Sequence, residues 1–506
     1  MKKWKQWHKI TAIGVGLVAL TGCNGNENNE SASSSGDAID DGSPVEFSIM
    51  ANLHTAEVPD KKVQTLLEEA TNTKLDIQWV PDSNYEERLN TAFATGSLPQ
   101  AVYMKNQTTY EQFKDAIRDD QFWELGPYLD EFENLKNLKP EVVENTMVDG
   151  KMYALYQGRP LARSGLIYRK DWADNLGIDA PTNVEEFMEM ARAFTEDDPD
   201  GNGKDDTFGL TDRNDLVYGA FKSVASWFGT PNGWGEQDGE LLPEFMFDEY
   251  IDTLDYLKEL HENGYMNQDF PVTSKPDQQA LLKNGTAGMY VGSMGDVVSL
   301  YADASQNNPD LEFDVHNYVE GPDGEYNIWA IPGYGNLVIF PKSSVETEEE
   351  LKGILSFYNQ MMEPDNANLI FWGVEGEHYD VEEDQAVAIE DTQKTDREVK
   401  PYQSIEIGEA ETNGRYLGKS NYEAKTKADE LEIDNESYLV HDPTITLDSP
   451  TMQTHGERLQ QIINDATYQY ILGQTDLEGF EKAIETWKTQ GGEDVINEIN
   501  ESYEQQ

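Results

Sequence analysis

Apolar and polar positions change period along the first folded stretch. Val45, Phe47 and Ile49 fall at every second position, as in a half-buried strand. Val63, Leu66, Leu67 and Ala70 then recur at the spacing of one helix face, and Leu75, Ile77 and Trp79 return to period two. Tyr85, Leu89, Ala92 and Phe93 make a second helical stripe, and Ala101 to Met104 form a short apolar run. Strand, helix, strand, helix, strand predicts a parallel sheet with helical crossovers, hence an α/β chain. Further along, Thr182 and Glu185 form a capping box ahead of Val184, Phe187, Met188 and Ala191, and Tyr250, Leu254, Leu257 and His261 keep helical spacing. Leu459, Ile462, Ile463, Ala466 and Tyr470 form another stripe. Thr475 and Glu478 box the start of a helix carrying Phe480, Ile484 and Trp487, and Gly491-Gly492 separates it from the next. The last third is helix-rich.

The N-terminus follows neither period. Lys2, Lys3, Lys5 and Lys9 precede an apolar run of eleven residues, Ile10 to Leu20, too short to span a bilayer as a mature helix. It reads as an export signal over residues 1–22. The run ends at Leu20-Thr21-Gly22-Cys23, which resembles the lipobox of bacterial lipoproteins, where small residues admit a peptidase and the thiol receives a diacylglycerol. The alternative is an ordinary signal with an incidental cysteine, but Cys23 is the one thiol in the chain. Residues 23–44 are mostly Asn, Gly, Glu, Ser and Asp, which cannot bury enough apolar surface to fold. They are expected to form a tether spanning roughly 25 Å.

Composition narrows the rest. Asp and Glu number 97 against 37 Lys and Arg, a net charge of −60 that repels nucleic-acid phosphates and anionic lipid headgroups. With 38% hydrophobic residues the 506-residue chain can fill a large core, divided into two or three domains. A single cysteine excludes an intramolecular disulfide framework and a redox pair. No Gly-x-Ser-x-Gly elbow, His-Glu-x-x-His helix or phosphate-cradling glycine loop is present. Carboxylates this abundant fall into glycosidase-like pairs by chance, so they are no evidence of catalysis.

The most specific local chemistry lies at residues 198–207. Asp198, Asp200 and Asn202 stand at positions 1, 3 and 5 of a calcium loop, Gly203 at 6 for the sharp turn, the carbonyl of Lys204 at 7 and Asp206 at 9. Position 12 is Gly209 rather than a bidentate Glu, so a structural Ca2+ is expected rather than a sensor hand. The alternative is an acidic turn without metal.

Asn84-Tyr85 through Gly96-Ser97-Leu98-Pro99, then Asp149-Gly150-Lys151-Met152-Tyr153-Ala154-Leu155, carry a resemblance in their order and spacing. So do Arg169-Lys170-Asp171-Trp172 to Asp206-Thr207-Phe208-Gly209, Gly285-Thr286-Ala287-Gly288-Met289 and Gly373-Val374-Glu375-Gly376-Glu377-His378-Tyr379. With the lipobox and the tether, the chain resembles extracellular solute-binding proteins of family 1, in the lipoprotein subgroup of carbohydrate ABC importers. It is similar to alginate-binding proteins, which carry a related calcium loop, although Thr207 stands where those have a further carboxylate.

The resemblance implies a periplasmic-binding-protein-like type II fold: two discontinuous α/β lobes joined by hinge strands, with a ligand cleft between them. Crossings are expected near Tyr153–Gly158, Met289–Gly295 and Leu337–Pro341, where apolar residues lie beside glycine or a turn. Lobe 1 would then comprise 45–155 and 291–340, and lobe 2 would comprise 156–290 and 341–506. The implied protein is a monomer held at the outer face of the cell membrane by its lipid alone. It would capture an oligosaccharide by lobe closure and pass it to the permease subunits of an ABC importer.

Sugar rings stack apolar faces on aromatics and bond their hydroxyls to polar side chains. Trp227, Trp234, Trp329 and Trp372 are candidates because they lie in glycine- or turn-rich stretches. Tyr156 and Tyr290 lie at expected crossings, and Asn52 ends the first strand, where open parallel sheets place ligands. Arg163 and Glu375 complete the set. The alternatives are a surface adhesin or sensory binding protein without transport, and a polysaccharide-degrading enzyme. A polyanionic ligand fits a surface this negative only where lysines and arginines cluster in the cleft.

Self-repulsion among so many carboxylates is screened by salt. The thermal midpoint should therefore rise between dilute buffer and molar NaCl in differential scanning calorimetry; a flat or falling midpoint would remove the electrostatic argument.

Overall fold

The alternation at Val45, Phe47 and Ile49 is realised as the strand Val45–Leu53, the outset of a five-stranded sheet. The computed structural model describes residues 42–505 apart from 56, 307, 390 and 391, so the expected signal peptide, Cys23 and the tether as far as residue 41 lie outside it. The helical stripes become Lys62–Thr71 and Tyr85–Ala94, and the next strands are Thr73–Pro81 and Ala101–Met104. Val45–Leu53 pairs in parallel with both, Phe47 opposite Leu75 and Ile49 opposite Ile77.

The sheet order is Thr73–Pro81, Val45–Leu53, Ala101–Met104, Tyr334–Ile339, Leu155–Gly158. Tyr334–Ile339 returns from far along the chain and runs antiparallel to both of its neighbours. Its Leu337, Val338 and Ile339 are fully buried in a core with Ile49, Val102 and Phe357. Buried hydroxyls there find carbonyls, as a buried polar group must: Tyr85 bonds Met50 O at 3.2 Å and Tyr103 bonds Ile405 O at 2.9 Å.

A second sheet has the order Phe313–His316, Ser164–Arg169, Ala287–Ser293, Phe208–Thr211, the last pair parallel and the others antiparallel. The helix Val184–Glu196 packs on it through Phe187, Met190, Ala191 and Phe194. Its cap differs from the expected box by one residue. Asn183, in extended backbone, accepts the Glu186 N–H at 2.9 Å, while Glu186 reaches back to the Thr182 N–H at 2.8 Å. The same one-residue shift puts Asp476 rather than Thr475 at the cap of Leu477–Trp487. A short polar side chain on the extended residue closest to the first turn reaches the free N–H best, and in both places a second capping residue follows the expected one.

The two cores sort the chain differently from the expected lobe boundaries. Ala287–Ser293 is paired on both edges inside the second sheet, so Met289–Gly295 is no crossing, and residues 291–329 remain with that lobe. Phe340, Leu351, Ile354, Phe357, Tyr358 and Ile407 pack in the first core, so the stretch 341–407 belongs to the first lobe and not the second. Apolar residues beside glycine mark a buried strand as readily as a crossing, which is why that signal misplaced the boundaries.

The chain passes between the sheets at residues 159–163 and 330–333, the first just after the crossing expected at Tyr153–Gly158 and the second a few residues before the one expected at Leu337–Pro341. A third passage lies between Lys419, whose N–H bonds Ala386 O at 2.8 Å, and Tyr422, whose ring stacks on Tyr301 at 4.0 Å. The first two passages are bonded to each other: Arg159 N–H to Gly333 O and Ile331 N–H to Leu161 O, both 2.8 Å. Gly333 has φ +80°, and a Cβ there would lie 2.7 Å from Leu161 and Val142, so this crossing requires glycine.

Gly288 allows equally close packing within the second lobe, since a Cβ would strike the ring of Phe194 and lie 2.9 Å from Trp172. Gly288→Ala should lower stability by about 1–3 kcal/mol in urea titration. Gly126→Ala, with nothing within 4 Å of the new carbon, should change it little.

Candidate ligand site between the lobes

A cavity of about 660 Å³ opens against the 330–333 passage, with walls from both lobes. Gln107 and Glu111 face it from the first lobe, Tyr218, Trp234 and Trp329 from the second, and Ile331 from the passage itself. A larger cavity of about 1020 Å³ adjoins it, sharing Asp442 and Ile445. That one is lined by Glu144, Asp149, Asp448, Glu498 and Glu501 around Arg118 and has no aromatic wall, so the smaller cavity has the chemistry to grip a ring.

The aromatic wall is built by the loop between the strand Phe208–Thr211 and the helix Ala220–Trp227. Tyr218 is 48% exposed, its ring centroid 5.8 Å from that of Trp329, and the Arg163 guanidinium carbon lies 5.9 Å from its centre. The loop is held by its own acids. Asp215 Oδ1 accepts the N–H groups of Val217 (3.1 Å) and Tyr218 (2.9 Å), and Asp212 Oδ1 accepts that of Ala220 (3.0 Å). Arg213 bonds Asp215 at 3.1 Å, Gln278 at 2.9 Å and the Tyr218 carbonyl. On the far side Lys222 pairs with Glu244, which also accepts the Gly233 N–H at 2.8 Å. Asn232 ties the passage down by donating to Ala330 O (2.8 Å) and Val440 O (2.9 Å).

A buried polar cluster, separate from the residues that line the cavity, lies at the carboxyl end of the first strand. Asn52 donates to Asp82 at 3.0 Å and accepts from Asn336 at 3.0 Å, and Asn336 also reaches Ser404 O at 2.7 Å. Gln157 accepts from Arg159 at 3.2 Å and donates to Gln403 O at 2.6 Å. His54, just past the strand, is held below its ordinary pKa by partial burial, with Arg159 and Lys400 adding to the effect and Asp82 opposing it.

Of the expected ligand residues, Trp234 and Trp329 line the cavity and Arg163 stands over its Tyr218 wall. Asn52 is buried in the polar cluster with its amide engaged and does not line the cavity. Trp227 is wholly buried, edge-on to Phe187 at 5.3 Å, and Tyr290 is buried with its hydroxyl on Asp296 at 2.7 Å. Tyr156 is buried and accepts the Lys139 N–H at 2.8 Å. These three are core residues. Trp372 bonds Tyr416 O at 2.9 Å, and Glu375 is exposed on the turn that follows it; neither lines the cavity. Tyr218, which lines the cavity, was missed, and so were Arg159, Gln157 and Asn336 of the polar cluster outside its lining. Tyr218 had a signal, an aromatic inside an Asp-Arg-Asn-Asp turn before Gly219, whereas Arg159 and Asn336 come together only through the paired passages.

The loop at 198–206 is exposed and closes on itself. Asp198 accepts the Gly203 N–H at 3.0 Å, Asn202 donates to Asp200 (2.6 Å) and Asp206 (3.1 Å), and Gly201 and Gly203 have φ of +65° and +76°. The four side chains are oxygen-bearing, which fits a hard cation in donor type, although the carboxylates of Asp198, Asp200 and Asp206 do not all lie within ligand distance of one another. Among the described residues, Glu377, His378 and Glu398 do lie that close. There His378 Nδ1 accepts the Val374 N–H at 3.0 Å, Nε2 faces Glu398 at 3.3 Å, and Glu377 is paired with Lys62 and Lys394, so those donors are already used.

Residues 54–367 match the family described as "Bacterial extracellular solute-binding protein". The chain is 42% identical over 506 residues to the "Polygalacturonan/rhamnogalacturonan-binding protein YtcQ" of Bacillus subtilis, covering 99% of each. It is 32% identical to "Lipoprotein LipO" of the same species, covering 99% of this chain and 98% of that one. Among solved structures it resembles the "HMO binding ABC-transporter associated Solute Binding Protein" of Bifidobacterium longum infantis, with a TM-score of 0.71 at 16% identity, over 92% of this chain and 99% of that one.

The loop that presents Tyr218 carries a pH dependence. Burial raises Asp212 from 3.8 to about 7. A carboxyl raised on folding contributes stability that is complete below the unfolded value and lost as pH rises through the folded one. Wild type should therefore lose up to about 1.4 kcal/mol per pH unit between pH 4 and 7 relative to Asp212→Asn. Urea titrations across that window check it, and parallel profiles for the two proteins would refute it.

Proposed function

The chain belongs to the bacterial extracellular solute-binding proteins, and from that membership we propose that it captures an oligosaccharide between its lobes and delivers it to an ABC importer. The family is one of binding proteins, not enzymes, and the fold has two α/β lobes. The observation that carries the reading is the cavity at the passage, where the half-exposed Tyr218 offers a ring face beside the buried Trp329 and both lobes supply polar groups. A ligand touching both lobes binds the closed form better than the open one and shifts the population toward it, which is the signal an importer can read. Likeness to a polygalacturonan/rhamnogalacturonan-binding protein and to an HMO-binding solute-binding protein supports a chain of sugar rings as the ligand class.

Two finer parts belong to the same proposal. Cys23, after an apolar run and before a polar tether, anchors the protein by lipid at the outer face of the cell membrane; likeness to a lipoprotein over nearly the whole chain supports this. Ca2+ held by Asp198, Asp200, Asn202, Asp206 and the Lys204 carbonyl stiffens the loop between the helix Val184–Glu196 and the strand Phe208–Thr211. It stabilises the second lobe without touching the sugar. The protein acts as a monomer.

A thermal-shift and calorimetric screen against plant and algal oligosaccharides, with and without a chelator, tests the reading. A true ligand at a hundred times its Kd should add about 2.7 kcal/mol of stability and emerge uncleaved. Tyr218→Ala should weaken it about tenfold, roughly 1.4 kcal/mol, with little change in the unliganded midpoint. Chelation should lower the midpoint. Cleaved products, or a panel without any binder, would sink the proposal.

A further inference from the structure

We infer that the saccharide is an acidic one, and that Arg159 and Arg163 are the residues that read its carboxylates; this rests on the oligosaccharide reading above. The chain has 37 cationic side chains among 97 carboxylates, so a cation without a carboxylate partner is out of place. Six of the ten arginines, Arg118, Arg169, Arg192, Arg213, Arg397 and Arg415, form ion pairs. Among the described residues Arg159 and Arg163 have no carboxylate within 4.0 Å, and they stand at the two ends of the first passage between the lobes. The other two without one, Arg88 and Arg458, point to solvent from helices.

Arg159 is positioned rather than loose. Its backbone N–H is fixed by Gly333 O, its guanidinium donates to Gln157 Oε1 at 3.2 Å, and Gly335 makes room, since a Cβ there would lie 2.8 Å from Arg159 Nε. The acid that acts on it most, Glu406, is buried and already bonded to Arg415 at 2.6 Å and Asn413 at 3.2 Å. Surrounding protein lowers the pKa of Arg159, and the like charges of Arg163 and Arg415 lower it further. Arg163 leans over the ring of Tyr218, and the carboxyl near it, Glu432, is raised to about 7 by burial and so offers only part of a counter-charge at neutral pH. Two like charges thus stand exposed at the two ends of one passage, with only Glu406 and Glu432 acting on them from a distance, and an anionic ligand would supply the close partner that they lack. A planar guanidinium pairs with a carboxylate through two parallel N–H···O bonds, which a neutral sugar hydroxyl cannot match. Repulsion from the rest of the surface is screened beyond about 8 Å at physiological ionic strength, and of the carboxylates that line the cavity, Glu111, Asp215, Glu244 and Asp442, two are already paired, Asp215 with Arg213 and Glu244 with Lys222.

The test measures calorimetric affinities of the full chain for trigalacturonic acid and for its neutral counterpart, galactotriose. Wild type should prefer the acid at least tenfold in 0.05 M NaCl, with the gap narrowing in 0.5 M NaCl. Arg159→Gln and Arg163→Gln should each cut acid affinity at least tenfold and neutral affinity far less, with unliganded midpoints close to wild type. Arg159→Lys and Arg163→Lys should recover part of the loss, because charge returns without the fork. Equal affinity for the two trimers, or Gln variants that keep the acid preference, would overturn the inference while leaving oligosaccharide capture standing. Binding of neither trimer would overturn both.

Discussion

Two backbone hydrogen bonds, Arg159 N–H to Gly333 O and Ile331 N–H to Leu161 O, hold the two main passages side by side between the sheets. Everything that concerns the cleft depends on that pairing. It brings a segment that leaves the first sheet against one that returns to it about 170 residues later, with Arg159 and Arg163 at the two ends of the first segment and Ile331 and Pro332 of the second lining the cavity. Because both strands of the ribbon are short and end in separate sheets, the lobes can change angle by small dihedral adjustments in the ribbon while each core stays packed.

The lobes also meet away from the ribbon, and there the contacts are ionic. Arg118 of the first lobe pairs with Asp448 of the second, and Lys139 reaches Glu436 at 3.0 Å. Partly exposed pairs of this kind are worth little individually and are weakened by salt. They hold the lobes together less firmly than a continuous apolar seam would. The apolar surface is instead reserved for the two lobe cores, with Phe357 and Tyr358 in one and Trp172 and Phe194 in the other.

Charge is distributed with the same division of labour. The excess of acids covers exposed helices and loops, including the oxygen-rich loop at 198–206, while cations are mostly engaged in ion pairs. Arg159 and Arg163 depart from that rule at the place where the two lobes and the aromatic wall converge. A loop stitched by Asp212, Arg213 and Asp215 holds Tyr218 beside them.

Much of this was legible in the chain itself. Period-two and helical spacings located Val45–Leu53, Lys62–Thr71, Thr73–Pro81, Tyr85–Ala94 and Ala101–Met104, because burial of one face imposes that spacing locally. The order of short motifs carried the family, and the turn-rich surroundings of Trp234 and Trp329 singled out two residues that line the cavity. What the chain could not declare was which distant strands share a sheet. Met289 beside glycine looks the same whether its strand crosses between lobes or sits inside one, and Tyr156, Trp227 and Tyr290 look the same whether they face a ligand or a core. Those choices are made when Tyr334–Ile339 inserts beside Ala101–Met104 and the passages pair, since long-range backbone pairing, unlike side-chain periodicity, leaves no local mark.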